Sequence, residues 1–265
     1  MGHDMTHDFT GKAAAVTGSS GIGLGAALHL ARRGARVFLA GIDEDLNGKA
    51  ARTAAAEGLD ISLHRVDVAD EASVRDWAGQ VAAETDALHA LVNAAGRQTY
   101  GTVEDTGPAE WDHCLAVNLR SCYLTSHLMY SLLKAAGGAA VVHVASVQGH
   151  NNQDNVLAYA ASKGGVHALT RAMAVDCAKD KIRVNSISPG SIRTPLLEYG
   201  AAQLATGGKT IDDMIEEFGK SNPVGRVGTT EETGSLIAYL CSDAAAFITG
   251  ADLRIDGGLT AQLGV

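Results

Sequence analysis

Short apolar runs alternate with alanine-rich stretches of helical spacing along nearly the whole chain, and this alternation limits the fold more than any other feature. The runs cover residues 13–17, 36–40, 61–66, 90–93, 139–145, 183–188 and 252–255. Each is too short for a stable helix and mostly apolar, with the look of a buried strand. The stretches between them, 23–33, 44–56, 71–84, 108–136, 159–178 and 230–241, repeat apolar residues at helical intervals. Strand and helix in strict alternation predict βαβ units: a doubly wound α/β fold with a seven-stranded parallel sheet and helices on both faces. Crossovers in such a sheet are right-handed, and ligands bind beyond the carboxyl ends of the strands. Functional residues are therefore sought where each apolar run ends.

Composition agrees with one compact unit. The 265 residues are 46% hydrophobic and 19% charged, too apolar for disorder. A chain of this size buries about 70% of its surface, enough for a core without disulfides or metal. No repeat, low-complexity tract or hinge interrupts it, so residues 9–265 are expected to form a single domain behind a flexible tail at 1–8. A net charge of −9 and 5% aromatics argue against nucleic acid and anionic membranes as partners. Cys114, Cys122, Cys177 and Cys241 form no C-x-x-C pair and read as buried free thiols. With no apolar leader and no stretch of eighteen apolar residues, a cytoplasmic location is expected. His3, Asp4, His7 and Asp8 carry metal-ligand chemistry, but on a terminal tail they read more simply as solvated residues, and no metal is expected.

Three strand ends carry ligand-binding patterns. Thr17-Gly18-Ser19-Ser20-Gly21-Ile22-Gly23 is a glycine-rich turn between a strand and a helix, suited to a diphosphate on a helix N-terminus. A tight turn with no ligand would read the same way. Asp67-Val68 and Asn93-Ala94-Ala95-Gly96 end the third and fourth strands, and short polar residues there suit an adenosine lying across the sheet. Tyr159 and Lys163 stand four apart on one helix face. A free phenol is a poor base at neutral pH, and a neighbouring ammonium favours its ionised form; an ordinary helix surface gives the same pair by chance. Ser146 ends the fifth strand, where a hydroxyl either meets a substrate oxygen or starts a turn. Asn118 sits inside a helical pattern without a propensity reason, either solvated or turned inward to hold a water.

Taken together, these pieces resemble the short-chain dehydrogenase/reductase family from about Phe9 to Leu263. The resemblance rests on the glycine turn, Asp67, 93–96, Asn118, Ser146, Tyr159-x-x-x-Lys163, Pro189-Gly190, Thr194 and Asp256-Gly257-Gly258. It implies a Rossmann-like domain and interconversion of a secondary alcohol and a ketone with a nicotinamide cofactor, the alternatives being a reductase of a less polar ketone or a non-catalytic dinucleotide sensor on the same fold. Tyr159 would be the acid/base, and Ser146 would orient the reacting oxygen. Lys163 would bind the nicotinamide ribose and lower the Tyr159 pKa, and Asn118 would hold a relay water. Cofactor contacts are expected from Gly18, Ser20, Ile22, Gly23, Asp43, Asp67, Val68, Asn93, Ala94, Gly96, Tyr159 and Lys163, with Pro189, Gly190, Ile192 and Thr194 flanking the nicotinamide. A homotetramer is implied as well. Two departures stand out: the glycine turn is one residue shorter than the family's usual pattern, and Ala94 replaces the commoner second Asn.

Substrate and cofactor preference follow from local chemistry. Gln148, Asn152 and their amide-rich neighbours lie between Ser146 and Tyr159, and Gln98 adds another amide. These favour a polar substrate such as a sugar, polyol or hydroxy acid, although a solvated rim has the same composition. Residues 195–220 are expected to form a helical lid. NAD is expected over NADP. Gly41 stands where NAD-selective relatives usually carry Asp, but no cation is visible to hold a 2′-phosphate, and Asp43-Glu44-Asp45 would repel one. Asp43 either reaches the ribose or caps the following helix.

Overall fold

The computed structural model describes residues 8–263. Seven parallel strands form one sheet: β1 (Ala13–Thr17), β2 (Arg36–Gly41), β3 (Ile61–Arg65), β4 (Ala90–Asn93), β5 (Ala139–Val144), β6 (Ile182–Pro189) and β7 (Asp252–Ile255). Their spatial order is β3-β2-β1-β4-β5-β6-β7. The order reverses between β1 and β4, where Thr17 pairs with Asn93 in register. That reversal opens a crevice at the carboxyl ends, the position at which such sheets bind ligands.

Alternation along the strands feeds two cores. Ala14, Val16, Val37 and Leu39 face α1 (Gly21–Arg32) and α10 (Thr230–Cys241), packing on Leu30, Ile237 and Leu240. Ala13, Ala15, Phe38 and Ala40 face the other side, against α3 (Glu71–Glu84), with Trp77 and Val81. The remaining helices are α2 (Glu44–Ala56), α4 (Pro108–Leu115), α5 (Ser121–Leu128), α6 (Tyr130–Ala135), α7 (Leu157–Cys177), α8 (Pro195–Leu204) and α9 (Ile211–Lys220). All four cysteines are buried and free, as expected.

The expected single helix over 108–136 is instead α4, a π-helical turn at Ala116–Arg120, α5 and α6. Asn118 lies in the π turn, which rotates it inward, and its carboxamide bonds pull the helix out of regular register. The expected lid region is two helices, α8 and α9, joined by residues 205–210. Thr194 caps α8 through Leu197 N at 3.1 Å, and Arg193 reaches Asp212 of α9 at 2.9 Å.

Helices α1 and α10 pack backbone to backbone. A Cβ on Gly234 would stand 2.6 Å from Gly25 O, and one on Gly25 would stand 2.5 Å from Thr230 O. Overpacking such a contact costs about 1–3 kcal/mol. Gly234→Ala is therefore expected to lower Tm by about 2–10 °C in a calorimetric scan; an unchanged Tm would contradict this packing.

Candidate active site

The carboxyl ends of the strands enclose a cleft of about 980 Å³. Gly18, Ser20, Ile22, Asp43, Asp67, Val68, Ala94, Gly96, Ser146, Gln148, Asn152, Tyr159, Lys163, Pro189, Gly190, Ile192 and Thr194 all line it, together with Gln98. Three expected contacts do not: Gly23, Asn93 and Asn118 stand behind the lining. A Cβ on Gly23 would fall 2.1 Å from Gly18 O, so this glycine lets α1 start directly beneath the turn. Asn93 turns into the protein. Its Oδ1 accepts from Thr125 Oγ1 at 2.7 Å, and its Nδ2 meets His143 Nδ1 at 3.1 Å. Burial, and then the Lys163 charge, push the His143 imidazole down to about 4, so it is neutral and accepts the amide proton.

Asn118 Oδ1 accepts from Arg97 N at 2.8 Å, and its Nδ2 donates to Arg97 O at 2.9 Å and Ser162 Oγ at 3.0 Å. It thus ties the turn after β4 to α7. The β4 turn is also held from the other side, because Thr17 Oγ1 accepts from Ala94 N and Ala95 N, each at 3.1 Å.

Tyr159 and Lys163 project from the first turns of α7 and are 7% and 4% exposed. Lys163 Nζ donates to Val144 O at 2.8 Å, at the end of β5, and lies 5.5 Å from the Tyr159 ring centroid. Burial lowers the Lys163 pKa. In the ligand-free protein burial is the largest influence on Tyr159 and pushes the phenol up to about 12, while a hydrogen bond with Ser146 partly offsets it. In the ligand-free protein Tyr159 therefore holds its proton, ready to donate it. Ser146 is itself fixed, accepting from Gln148 N at 3.1 Å.

At the β2 end Asp43 takes one of its two expected roles, the N-cap of α2, accepting from Leu46 N at 2.9 Å. Two features differ from expectation. A cation does stand nearby, because Arg65 pairs with Gly41 in register; its Nε lies 3.3 Å from Glu44 Oε1, both side chains being exposed. The second concerns the shortened glycine turn, where Ser19 packs onto Gly41. A Cβ on Gly41 would stand 2.0 Å from Ser19 Oγ, 2.6 Å from Ser19 Cβ and 2.4 Å from Asn47 Oδ1. Rotating the Ser19 hydroxyl leaves its Cβ in place, and Asn47 is held by Nδ2 on Gly41 O at 3.0 Å. A carboxylate side chain cannot be housed at position 41 without moving the turn. The missing Asp and the missing residue are thus one packing solution, visible only when the two segments meet in space.

The cradle fits a dinucleotide: backbone-lined glycines at a helix N-terminus, a switch-point crevice and a buried ammonium at its far wall. The comparisons agree. Residues 16–260 match the short-chain dehydrogenase family model described as enoyl-(acyl carrier protein) reductase. The chain belongs to the short-chain dehydrogenase/reductase family. D-threitol dehydrogenase of Mycolicibacterium smegmatis is 38% identical, over 97% of this chain and 96% of that one. NADP-dependent (R)-specific alcohol dehydrogenase of Lentilactobacillus kefiri is 34% identical, over 97% and 100%. Among solved structures, ligand-free aldohexose dehydrogenase of Thermoplasma acidophilum superposes with TM-score 0.88 at 30% identity, over 98% of each chain. The protein is an oxidoreductase that interconverts a secondary alcohol and a ketone with a nicotinamide dinucleotide.

Other expected groups fall elsewhere. His3, Asp4 and His7 lie outside the described residues, and Asp8 is taken by Arg33 at 2.8 and 2.5 Å. No described helix is long and apolar enough to cross a membrane.

Gly41→Asp is expected to weaken NAD⁺ and NADP⁺ alike by about tenfold or more in calorimetric titration, and to lower the Tm of the free protein. Ser19→Gly in the same chain should restore part of both, since the Asn47 contact remains. Tighter NAD⁺ binding by the single variant would contradict the packing argument.

Proposed function

We propose that the protein is an NAD-linked dehydrogenase of a polar, hydroxylated secondary alcohol, in the class of sugars, polyols and hydroxy acids. The observation that carries this reading is the polar wall of the cleft between Ser146 and Tyr159. Gln148, Asn151, Asn152 and Gln153 line it, and Leu196, Tyr199 and Phe218 of the α8–α9 region line the facing side. Amides so placed prefer a substrate with hydroxyls to meet them over a hydrocarbon. Its similarity to D-threitol dehydrogenase and aldohexose dehydrogenase supports the same class.

When bound, the nicotinamide supplies or accepts the hydride. Tyr159 moves the proton: as phenol it protonates the oxygen of a ketone, and as phenolate it takes the proton of an alcohol. Ser146 holds the reacting oxygen against it. Lys163 presents a buried charge to the ribose side of the cleft, and Asn118 keeps the 94–97 turn seated on α7. NAD is favoured over NADP by the acidic rim at Asp43, Glu44 and Asp45, which outnumbers the one cation nearby, Arg65. Exposed Tyr123, Val175 and Phe247, on α5, α7 and just beyond α10, favour assembly into a homotetramer. Buried free thiols suit a cytoplasmic setting.

A panel scored by reduced-cofactor formation tests the reading. D-threitol, aldohexoses and 3-hydroxybutyrate are expected to outperform cyclopentanol and steroid alcohols, with NAD⁺ ahead of NADP⁺. Turnover confined to steroids, or a tenfold preference for NADP⁺, would reverse it. Tyr159→Phe should cost about 10²-fold or more in turnover while the NAD⁺ Kd holds. Lys163→Ala should lose both rate and NAD⁺ affinity, and an unchanged Kd would refute its ribose role. Because oxidation needs the phenolate and reduction the phenol, kcat/KM for oxidation should rise with pH between about 7 and 10, and that for reduction should not.

A further inference from the structure

The turn that carries Ser146 and Gln148 is fastened at its far end by a network that no expected site residue belongs to. His150 follows the 3₁₀ turn Val147–Gly149, and its Nε2 lies 2.8 Å from Asp252 Oδ2 on β7. Its ring stacks on that of His167, with centroids 4.1 Å apart and planes 21° apart. His167 stands one helical turn beyond Lys163 on α7 and meets Ser188 Oγ at 2.9 Å. The Asp252 carboxylate also accepts from Ser186 Oγ at 2.6 Å and Ser188 Oγ at 2.8 Å. Burial disfavours this carboxylate's charge, yet the hydroxyl and imidazole bonds hold it below the usual carboxylate range. Between the two histidines the backbone is pressed flat: a Cβ on Gly149 would stand 2.6 Å from His167 Cε1 and 2.9 Å from the Lys163 carbonyl carbon.

These three side chains have the composition of a metal site, with ligand atoms within 4.8 Å of one another. The geometry argues otherwise. Stacked rings direct their nitrogens side by side instead of converging on one ion, and the hydroxyls already occupy the carboxylate oxygens.

We propose that His150 and Asp252 form a latch that fixes the 146–153 segment against α7, making both of them positioning residues for substrate binding. Besides the latch, the packing of Gly149 on α7 and the Ser146–Tyr159 hydrogen bond, the segment's bonds among the described residues are internal: the turn closes on itself through His150 N and Asn151 N, each 2.9 Å from Val147 O. Everything it offers the cleft, from the Ser146 hydroxyl to the Gln148 carboxamide and Asn152, lies within four residues of His150. The latch anchors that short span to the edge strand β7, across β6 and α7. It acts through Gln148 and Ser146 and touches no reacting atom. The consequence for affinity rests on the polar-substrate reading above; the mechanical consequence does not.

Hydrogen exchange separates the two. In His150→Ala, amides of 147–155 in the ligand-free protein should exchange at least about tenfold faster, with Tm and exchange elsewhere unchanged. With D-threitol as probe, KM should rise at least about fivefold while kcat and the NAD⁺ Kd stay within about twofold. His150→Gln, whose amide can donate the same bond to Asp252, should return each value to near wild type. Unaltered exchange in His150→Ala, failure of His150→Gln to rescue, or a Tm increase on adding Zn²⁺ that His150→Ala abolishes would overturn the latch. Inactivity of every form on D-threitol, with the exchange pattern as expected, would count against the substrate reading alone.

Discussion

A buried ammonium sets the terms for the site. Lys163 lies inside the protein with its charge on a single carbonyl, Val144 O, and among the described residues no carboxylate pairs with it. A charge so placed is tolerated only where the surrounding dipoles are fixed. Fixing them requires the end of β5 and the first turns of α7 to meet at one place, which is also where Ser146 and Tyr159 converge. The rest of the architecture serves that junction. Asn118 ties the β4 turn to α7, Asn93 and neutral His143 seal the sheet beneath it, and the His150–Asp252 latch holds the turn on its outer side.

The same burial decides the state of the acid/base. Desolvation of the phenol is the largest influence on Tyr159 and outweighs its hydrogen bond with Ser146, so in the ligand-free protein the proton stays on Tyr159. The glycine turn shows a comparable trade. With two residues between Gly18 and Gly21, Ser19 sits on Gly41, and a carboxylate side chain at the end of β2 has no room while it stays there.

Local rules made much of this legible in the sequence. Strands β1, β4 and β7 and helices α2, α3 and α10 fall where apolar period and capping residues place them, because each depends on nearest neighbours along the chain. The Tyr159–Lys163 pair was visible because residues four apart on a helix share one face. What was not visible depends on contacts between distant segments. The π turn at Asn118 answers to Arg97 and Ser162. Asn93 is drawn away from the cleft by Thr125 and His143. The filling of Gly41 by Ser19, the pairing of Arg65 with Glu44, and the gathering of His150, His167 and Asp252 all join residues whose adjacency only the folded sheet creates. Acid strength belongs with these, since it depends on burial that spacing does not report.

The most direct test is therefore the ionisation of Tyr159 itself, followed by ultraviolet difference titration of the ligand-free wild type against Tyr159→Phe. A free phenol titrates near pH 10. If burial governs the residue, the difference spectrum shows no phenolate from Tyr159 between about pH 6 and 10. A phenolate appearing in the neutral range would show that the Lys163 charge prevails over desolvation, and would contradict the account.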